Sequence, residues 1–194
     1  MSARHIVKRT IKNLFLVLAF PIHLFFRLFT ISGNPDSAFM SFSQGLSLVP
    51  GKPGIYLRAA FYRLTCPNTS DEITIGFLTI FSHRDTTIHR GVYIGPQCNV
   101  GKCEIGKNTL IGSGVHILSG TRQHSFEDVK KPIQEQGGHY RKIMIGDNSW
   151  IGNSAVIASS IGRGCIIGAG SVVTKDIEML SIAVGNPCSV VKKR

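Results

Sequence analysis

Residues 145–173 read IGDNSWIGNSAVIASSIGRGCIIGAGSVV, and residues 94–120 read IGPQCNVGKCEIGKNTLIGSGVHILSG. Both stretches repeat an aliphatic residue followed, in most units, by glycine. The leading aliphatics are Ile94, Val100, Ile105, Ile111 and Ile117, then Ile145, Ile151, Ile157, Ile161, Ile167 and Val173. The spacing is six, with a five after Val100 and a four after Ile157. A period of six with one obligate aliphatic per unit suits a coil of short flat strands, each pointing one side chain inward. The fifth residue of the unit is small (Cys98, Thr109, Val115, Ser149, Ala155, Cys165, Ser171) and fills the remaining inner space. The glycine after the aliphatic is expected to permit the turn between faces. Three faces make a triangular coil of about 18 residues, and coils stack at about 4.8 Å. Strands of a sandwich would alternate at period two instead, and units such as IGKNTL do not. The expected fold class is all-β, a parallel β-helix, with an N-terminal helical extension.

Working outward, the chain of 194 residues has room for one main domain and an extension. We expect 1–70 to be an apolar, basic helical segment with a connector, and 71–194 to be the repeat domain. Lys and Arg number 22 against 11 Asp and Glu, a formal charge of +11. That suits an anionic partner: nucleic acid, acidic lipid or a phosphate-bearing ligand. No nucleic-acid recognition motif appears. The bases up to residue 70 (Arg4, Lys8, Arg9, Lys12, Arg27, Lys52, Arg58, Arg63) face one acid, Asp36. The five cysteines (Cys66, Cys98, Cys103, Cys165, Cys188) are odd in number and form no C-x-x-C pair, which speaks against a disulfide framework or zinc ribbon. They read as buried thiols of a reducing compartment.

Residues 11–31, IKNLFLVLAFPIHLFFRLFTI, are very apolar but broken by Lys12, Asn13, Pro21, His23 and Arg27. No small-residue cleavage site follows, so a secretory signal fits poorly. Residues 32–70 read as a turn-rich connector with one helical stretch around 55–64.

The stretches IGDNSWIGNSAVI, IGAGSVVTKDI and SIAVGNPCSVVKKR carry a resemblance to the hexapeptide-repeat acyltransferases, over about residues 73–191. FSQGLSLVPGKPGIYLRAAFYRLTC and FSHRDTTIHRGVYIG look most like the polysaccharide-locus branch of that family. The resemblance implies a left-handed winding, a homotrimer, and acetyl-CoA as co-substrate for O-acetylation of a sugar hydroxyl in capsule, exopolysaccharide or O-antigen synthesis. The acceptor would be a sugar or lipid-linked saccharide. It also implies a catalytic histidine in the break of the repeat. That break, TRQHSFEDVKKPIQEQGGHYRK, separates Ile117 from Ile143, and a loop of this length is a functional candidate.

His124 falls closest to the family's histidine, though the galactoside branch places its own about where this chain has Arg122. A base with a pKa near neutrality suits proton removal from a hydroxyl. His139 is the second candidate, and His116 reads as an exposed coil residue. His83 and His89 are expected either to touch acceptor or to sit in a surface turn. Glu127 or Asp128 would orient His124, with Glu127 also a candidate contact to acceptor, or be solvated loop charges. Carried over by motif, Trp150, Asn153, Gly168, Ala169, Thr174, Lys175 and Lys192 would line the acetyl-CoA groove. Lys193 or Arg194 would supplement the phosphate contacts or belong to a frayed terminus. No cysteine or serine looks like a nucleophile, and no metal is expected.

A cytosolic co-substrate argues that the chain stays cytoplasmic. Residues 1–31 then read as a segment lying in the inner leaflet or as a helix packed on the protein itself. Three alternatives stand beside this reading: a serine O-acetyltransferase, a γ-type carbonic anhydrase with zinc on His89, His116 and His124, and a non-catalytic β-helix.

Overall fold

The computed structural model describes residues 3–31 and 33–194, without the side chain of Arg4. The repeat forms five triangular turns. The first holds β1 (Thr74–Ile75), β2 (Ile80–Phe81) and β3 (Thr87–Ile88). The second holds β4 (Tyr93–Ile94), β5 (Asn99–Val100) and β6 (Cys103–Ile105), and the third β7 (Leu110–Ile111), β8 (His116–Ile117) and β9 (Ile143–Ile145). The fourth pairs β10 (Trp150–Ile151) and β11 (Val156–Ile157) with a single bridge at Ile161, and the fifth β12 (Ile166–Ile167) and β13 (Val172–Val173) with a bridge at Ile177. A last strand, β14 (Ser181–Val184), folds back antiparallel onto β15 (Ser189–Lys193) and closes that end.

All pairings between turns are parallel and in register. The first face stacks β1, β4, β7, β10, β12 and β14; the second stacks β2, β5, β8, β11 and β13; the third stacks β3, β6 and β9 with the two bridges. Each face contributes one inward column: Ile75, Ile94, Ile111, Ile151, Ile167 and Ala183; Phe81, Val100, Ile117, Ile157 and Val173; Ile88, Ile105, Ile145, Ile161 and Ile177. All are buried, as are the seven small fifth residues.

The glycines play a different part from the one expected. The residue in left-handed conformation is the fourth of the hexad, at Leu78, Gln97, Gly114, Ser154 and Gly170 on one corner and Gly91, Asn108, Asn148, Gly164 and Leu180 on another. The glycine after the aliphatic is needed for close approach between turns. A Cβ on Gly95 would lie 2.8 Å from the Gly112 carbonyl carbon, and one on Gly152 would strike the backbone nitrogen of Ala169.

The connector expected over 32–70 is instead two helices, so the protein is mixed in content rather than all-β. The first helix, α1 (Ala3–Phe29), continues through Pro21; α2 (Pro35–Ser47) and α3 (Gly51–Thr65) follow. The Pro and Gly residues read as turn signals mark helix starts. Asn34 caps α2, its side chain accepting from the Asp36 N–H, with Pro35 at the first helical position. Phe26 of α1 packs edge-on against Phe39, Phe42 and Phe61, and Tyr62 meets Phe81 at 4.6 Å, so helices and coils share one core.

An open end of a β-helix is a row of unpaired backbone groups, and the helices satisfy it. The buried Arg58 guanidinium donates to the carbonyls of Ile75 (3.0 and 2.9 Å), Leu46 (3.1 Å) and Val49 (2.8 Å). Ser43 Oγ accepts from Phe81 N–H (2.8 Å), and Thr69 Oγ1 accepts from Ile88 N–H (3.0 Å). Burial lowers the Arg58 pKa and pushes the Tyr62 phenol up.

Three bases near the start of α1 are paired with acids of the first turn rather than left free for an anionic partner, and one of them is buried. Lys12 is buried and donates to Glu72 (2.8 Å) and to the Asp71 carbonyl (2.6 Å), Lys8 reaches Glu72 at 3.3 Å, and Arg9 grips Asp71. Arg4 lies outside the described side chains.

Candidate active site

Inward residues on the first and second faces are six apart in every turn, as are those from the third face to the next first face. Every departure falls at the corner between the second and third faces. Phe81 to Ile88 is seven, Val100 to Ile105 five, Ile117 to Ile145 twenty-eight, and Ile157 to Ile161 and Val173 to Ile177 four each. The short IASS unit therefore tightens this one corner, below the point where the long excursion leaves.

The excursion is a hairpin-like arm. Its stem is held by backbone bonds from Arg141 N–H to Ser119 O (2.8 Å), His139 N–H to Arg122 O (2.8 Å) and Ser125 N–H to Gly137 O (3.0 Å). Gly138 lies flat against Gln123 and His124; a Cβ there would come within 2.9 Å of the His124 Cα. At the tip, the Gln136 amide donates to the carbonyls of Asp128 (2.8 Å) and Lys131 (2.9 Å). The root is pinned by charge. Asp85 of the first turn bridges Lys142 (2.8 Å) and Lys102 (3.1 Å), and Asp176 of the fifth turn holds Arg141 (3.4 Å). Burial would raise the Asp85 pKa, but the two lysines outweigh it and hold it low; the Ser160 N–H, with Arg141, does the same for Asp176.

His124 is exposed on this stem, and its imidazole makes no hydrogen bond among the described residues. Glu127 and Asp128 do not orient it. Glu127 accepts from the Phe126 N–H and Asp128 from the Lys130 N–H, so both are solvated loop charges. His83 is brought to the same corner, bonded to Ser82 Oγ (2.9 Å) with its ring 5.2 Å from that of Tyr140 in the stem. His89 is not brought there. It pairs with Glu104 (2.9 Å) on the third face. His139 is exposed on the opposite strand of the stem, and His116 points outward from the second face.

Beside the stem root lies a cleft of about 200 Å³, lined among others by Ser82, Asn99, Leu118, Gln123 and Met40 of α2. Sequence reasoning passed over Asn99 and Met40. Asn99 is one outward strand residue among several, and Met40 is contributed by a helix the sequence left as connector.

The expected acetyl-CoA residues divide within one chain. Trp150 stands outward on the first face, 55% exposed, between Leu110 and Ile166, and Lys192 lies on the same sheet opposite Ile182. Asn153, Gly168 and Ala169 follow at the adjoining corner, where the Asn153 amide oxygen already accepts from the Ser113 N–H (3.0 Å). Thr174 and Lys175 belong to the corner of the hairpin, two turns on. The terminus is not frayed: Lys193 pairs with Glu178 (2.9 Å), and the Arg194 N–H donates to the Leu180 carbonyl (2.7 Å).

Cys66, Cys98, Cys103 and Cys165 are buried and Cys188 is half-buried. Burial pushes the Cys103 thiol up to about 12 and raises those of Cys66 and Cys98, which leaves them poor nucleophiles. The histidines considered for zinc, His89, His116 and His124, lie on the third face, the second face and the hairpin. Among the described residues no three potential metal ligands converge.

Known proteins fit this architecture. Residues 85–119 and 142–175 match the model of the bacterial transferase hexapeptide (six repeats). A Staphylococcus aureus (strain COL) protein with a provisional acetyltransferase name is 36% identical over 137 residues, 68% of this chain; the chain spans 65% of that relative's length. Among solved structures, a maltose O-acetyltransferase from Clostridium difficile 630 superposes with a TM-score of 0.70 at 26% identity, covering 83% of this chain and 89% of that one. A galactoside acetyltransferase in complex with coenzyme A shares the fold, with a TM-score of 0.67 at 24% identity over 84% of each chain. The columns of hexads, the matched repeats and these likenesses together identify residues 85–119 and 142–175 as bacterial transferase hexapeptide repeats, similar to those of acetyltransferases.

Proposed function

We propose that the protein is an acetyl-CoA-dependent O-acetyltransferase acting on a sugar hydroxyl, with His124 as general base. The observation that carries this reading is the second corner, where the scaffold's period breaks and a braced arm presents an imidazole beside a cleft of mixed polarity. When bound, acetyl-CoA supplies the activated acyl carbonyl. His124 would take the proton as the acceptor oxygen attacks the thioester carbonyl and return it to the thiolate released as the C–S bond breaks, so that the acetyl group moves directly to the acceptor oxygen. Asn99 in the cleft wall and His83 next to Ser82 would contact acceptor.

The residues present suit the co-substrate. Gly168 and Ala169 leave the first corner without a bulky side chain, Trp150 offers an apolar face, and Lys175 and Lys192 have no acidic partner among the described residues. Residues 1–70 and 71–194 act as the two parts of the molecule. Its working form is a homotrimer. Support comes from an outward apolar stripe on the first face, where Tyr93 is 43% and Leu110 49% exposed beside Trp150.

A polysaccharide pathway with a lipid-linked acceptor agrees with α1. From Leu14 to Phe29 its outer arc is apolar except for Arg27, and the most apolar 18-residue window within His5–Phe29 has a mean hydropathy of 1.6. The length and composition would suffice to cross a membrane. The buried Lys12, Ala19 and Phe26 and the ion pairs to Asp71 and Glu72 instead hold the helix along the protein, which suits a position in the plane of the inner leaflet. The test is His124→Ala: acetyl transfer should collapse with acetyl-CoA affinity retained. Near-normal turnover would exclude the assignment and direct attention to His139.

A further inference from the structure

A second cavity, of about 480 Å³, lies far from the hairpin. Its walls are the base of α1, the first turns of α3 and the corner between third and first faces in the first two turns. Four cations line it: Lys8 and Lys12 from α1, Lys52 from α3 and Arg90 from the corner. Glu72 is the one carboxylate in the lining. Its backbone is fixed by the Gly91 N–H, which donates to the Glu72 carbonyl at 2.7 Å. Hydrogen bonds from Lys12 and then Lys8 hold its pKa below the usual carboxylate range, so it stays ionised.

The charges do not cancel. Lys8 and Lys12 share Glu72, Arg9 takes Asp71, and Lys52 and Arg90 have no acidic partner among the described residues. The lining therefore carries formally three positive charges in excess, gathered around a concavity where they repel one another unless an anion enters. Tyr56 and Tyr93 add phenolic groups. Mixed lysine and arginine donors around a polar hollow suit the several acceptor oxygens of a phosphate.

We propose that this cavity binds the phosphate or diphosphate group of a phosphate ester. It is a site separate from the hairpin cleft, and it does not rest on the acetyl-transfer reading. The ester is either the headgroup of an acidic lipid, for which the neighbouring apolar arc of α1 offers a landing surface, or a soluble nucleotide or sugar phosphate.

Calorimetric titration of the full chain with inorganic pyrophosphate at low salt tests it. We expect one site per chain. Lys52→Gln with Arg90→Gln should weaken binding at least about tenfold, since each removes a charged donor. The thermal midpoint without pyrophosphate should be unchanged; if the double variant melts early, either single variant carries the test. Lys130→Gln with Lys131→Gln, which removes equal charge from the hairpin tip, should leave binding intact. Equal loss in that control, equal binding by wild type and the Lys52/Arg90 variant, or no binding at all overturns the proposal.

Vesicles distinguish the source. Capture by phosphatidic acid vesicles that the Lys52/Arg90 variant loses and pyrophosphate displaces assigns the site to lipid. Site-dependent pyrophosphate binding, with vesicles treating wild type and variant alike, assigns it to a soluble ester.

Discussion

Two kinds of corner meet in one triangular coil. At the two regular corners every hexad keeps its six residues and a left-handed residue at the fourth position, and all but the hexads led by Ile88 and Ile177 carry a glycine where the next turn presses close. At the remaining corner no two of the first four turns have the same length, and side-chain ion pairs add to the backbone bonds in holding the layers: Asp85 with Lys102 and Lys142, Asp176 with Arg141. The regular corners are paid for by steric necessity, which tolerates no variation. The irregular corner needs only that the chain return to the third face, so it can lengthen by twenty-two residues or shorten by two. Loop-closure cost grows slowly with length, and function can be placed there without disturbing the columns.

The largest effect expected is on chemistry at the irregular corner. His124→Ala should reduce acetyl transfer by about 10²–10⁴-fold, the usual worth of a positioned base, while the thermal midpoint stays at the wild-type value. A fall in both would mean that the arm is part of the scaffold, and the contrast between corners would fail.

Next come the regular corners. Gly152→Ala should cost about 3 kcal/mol in chemical denaturation, because the new methyl meets the Ala169 backbone, which belongs to the next turn and cannot rotate away. Ile157→Ala in the second-face column should cost about 2–5 kcal/mol by leaving a cavity between Ile117 and Val173. Either variant melting within a degree of wild type would show that the turns relax more freely than their stacking implies.

Acid should loosen the side-chain clamps before the columns. Glu72, Asp85 and Asp176 have folded pKa values below their ordinary ones. Their contribution is therefore complete above the unfolded carboxylate value of about 4 and disappears as pH falls through the depressed folded values. Hydrogen exchange at pH 3 should rise first at residues 119–142 and along α1, with the strand amides still protected. Uniform loss of protection would remove the distinction. The smallest effect expected is that of deleting 127–135 at the arm's tip, which touches neither column nor clamp. It should change stability by under about 1 kcal/mol.

Much of this was legible in order along the chain. The inward residues, the small partners beside them and the point at which the repeat stops all depend on neighbours in sequence, and a strict period of six has few physical readings. The phase of the columns follows from the run Ile94 through Val173 alone. Other features depend on groups distant in sequence, and those only the tertiary structure decided. That Lys8, Arg9 and Lys12 meet Asp71 and Glu72 requires α1 to lie back across the first turn. That Arg58 caps the coil through carbonyls leaves no pattern, because backbone acceptors carry no residue identity. Of the two helices in the connector, α3 is legible over 55–64, while α2 and the first turn of α3 are hidden because Gly and Pro mark a helix start as readily as a turn. His83 and His89, six residues apart in one motif, were separated by a corner. Sequence proximity does not fix which face of a triangle a side chain joins; the register of stacked turns does.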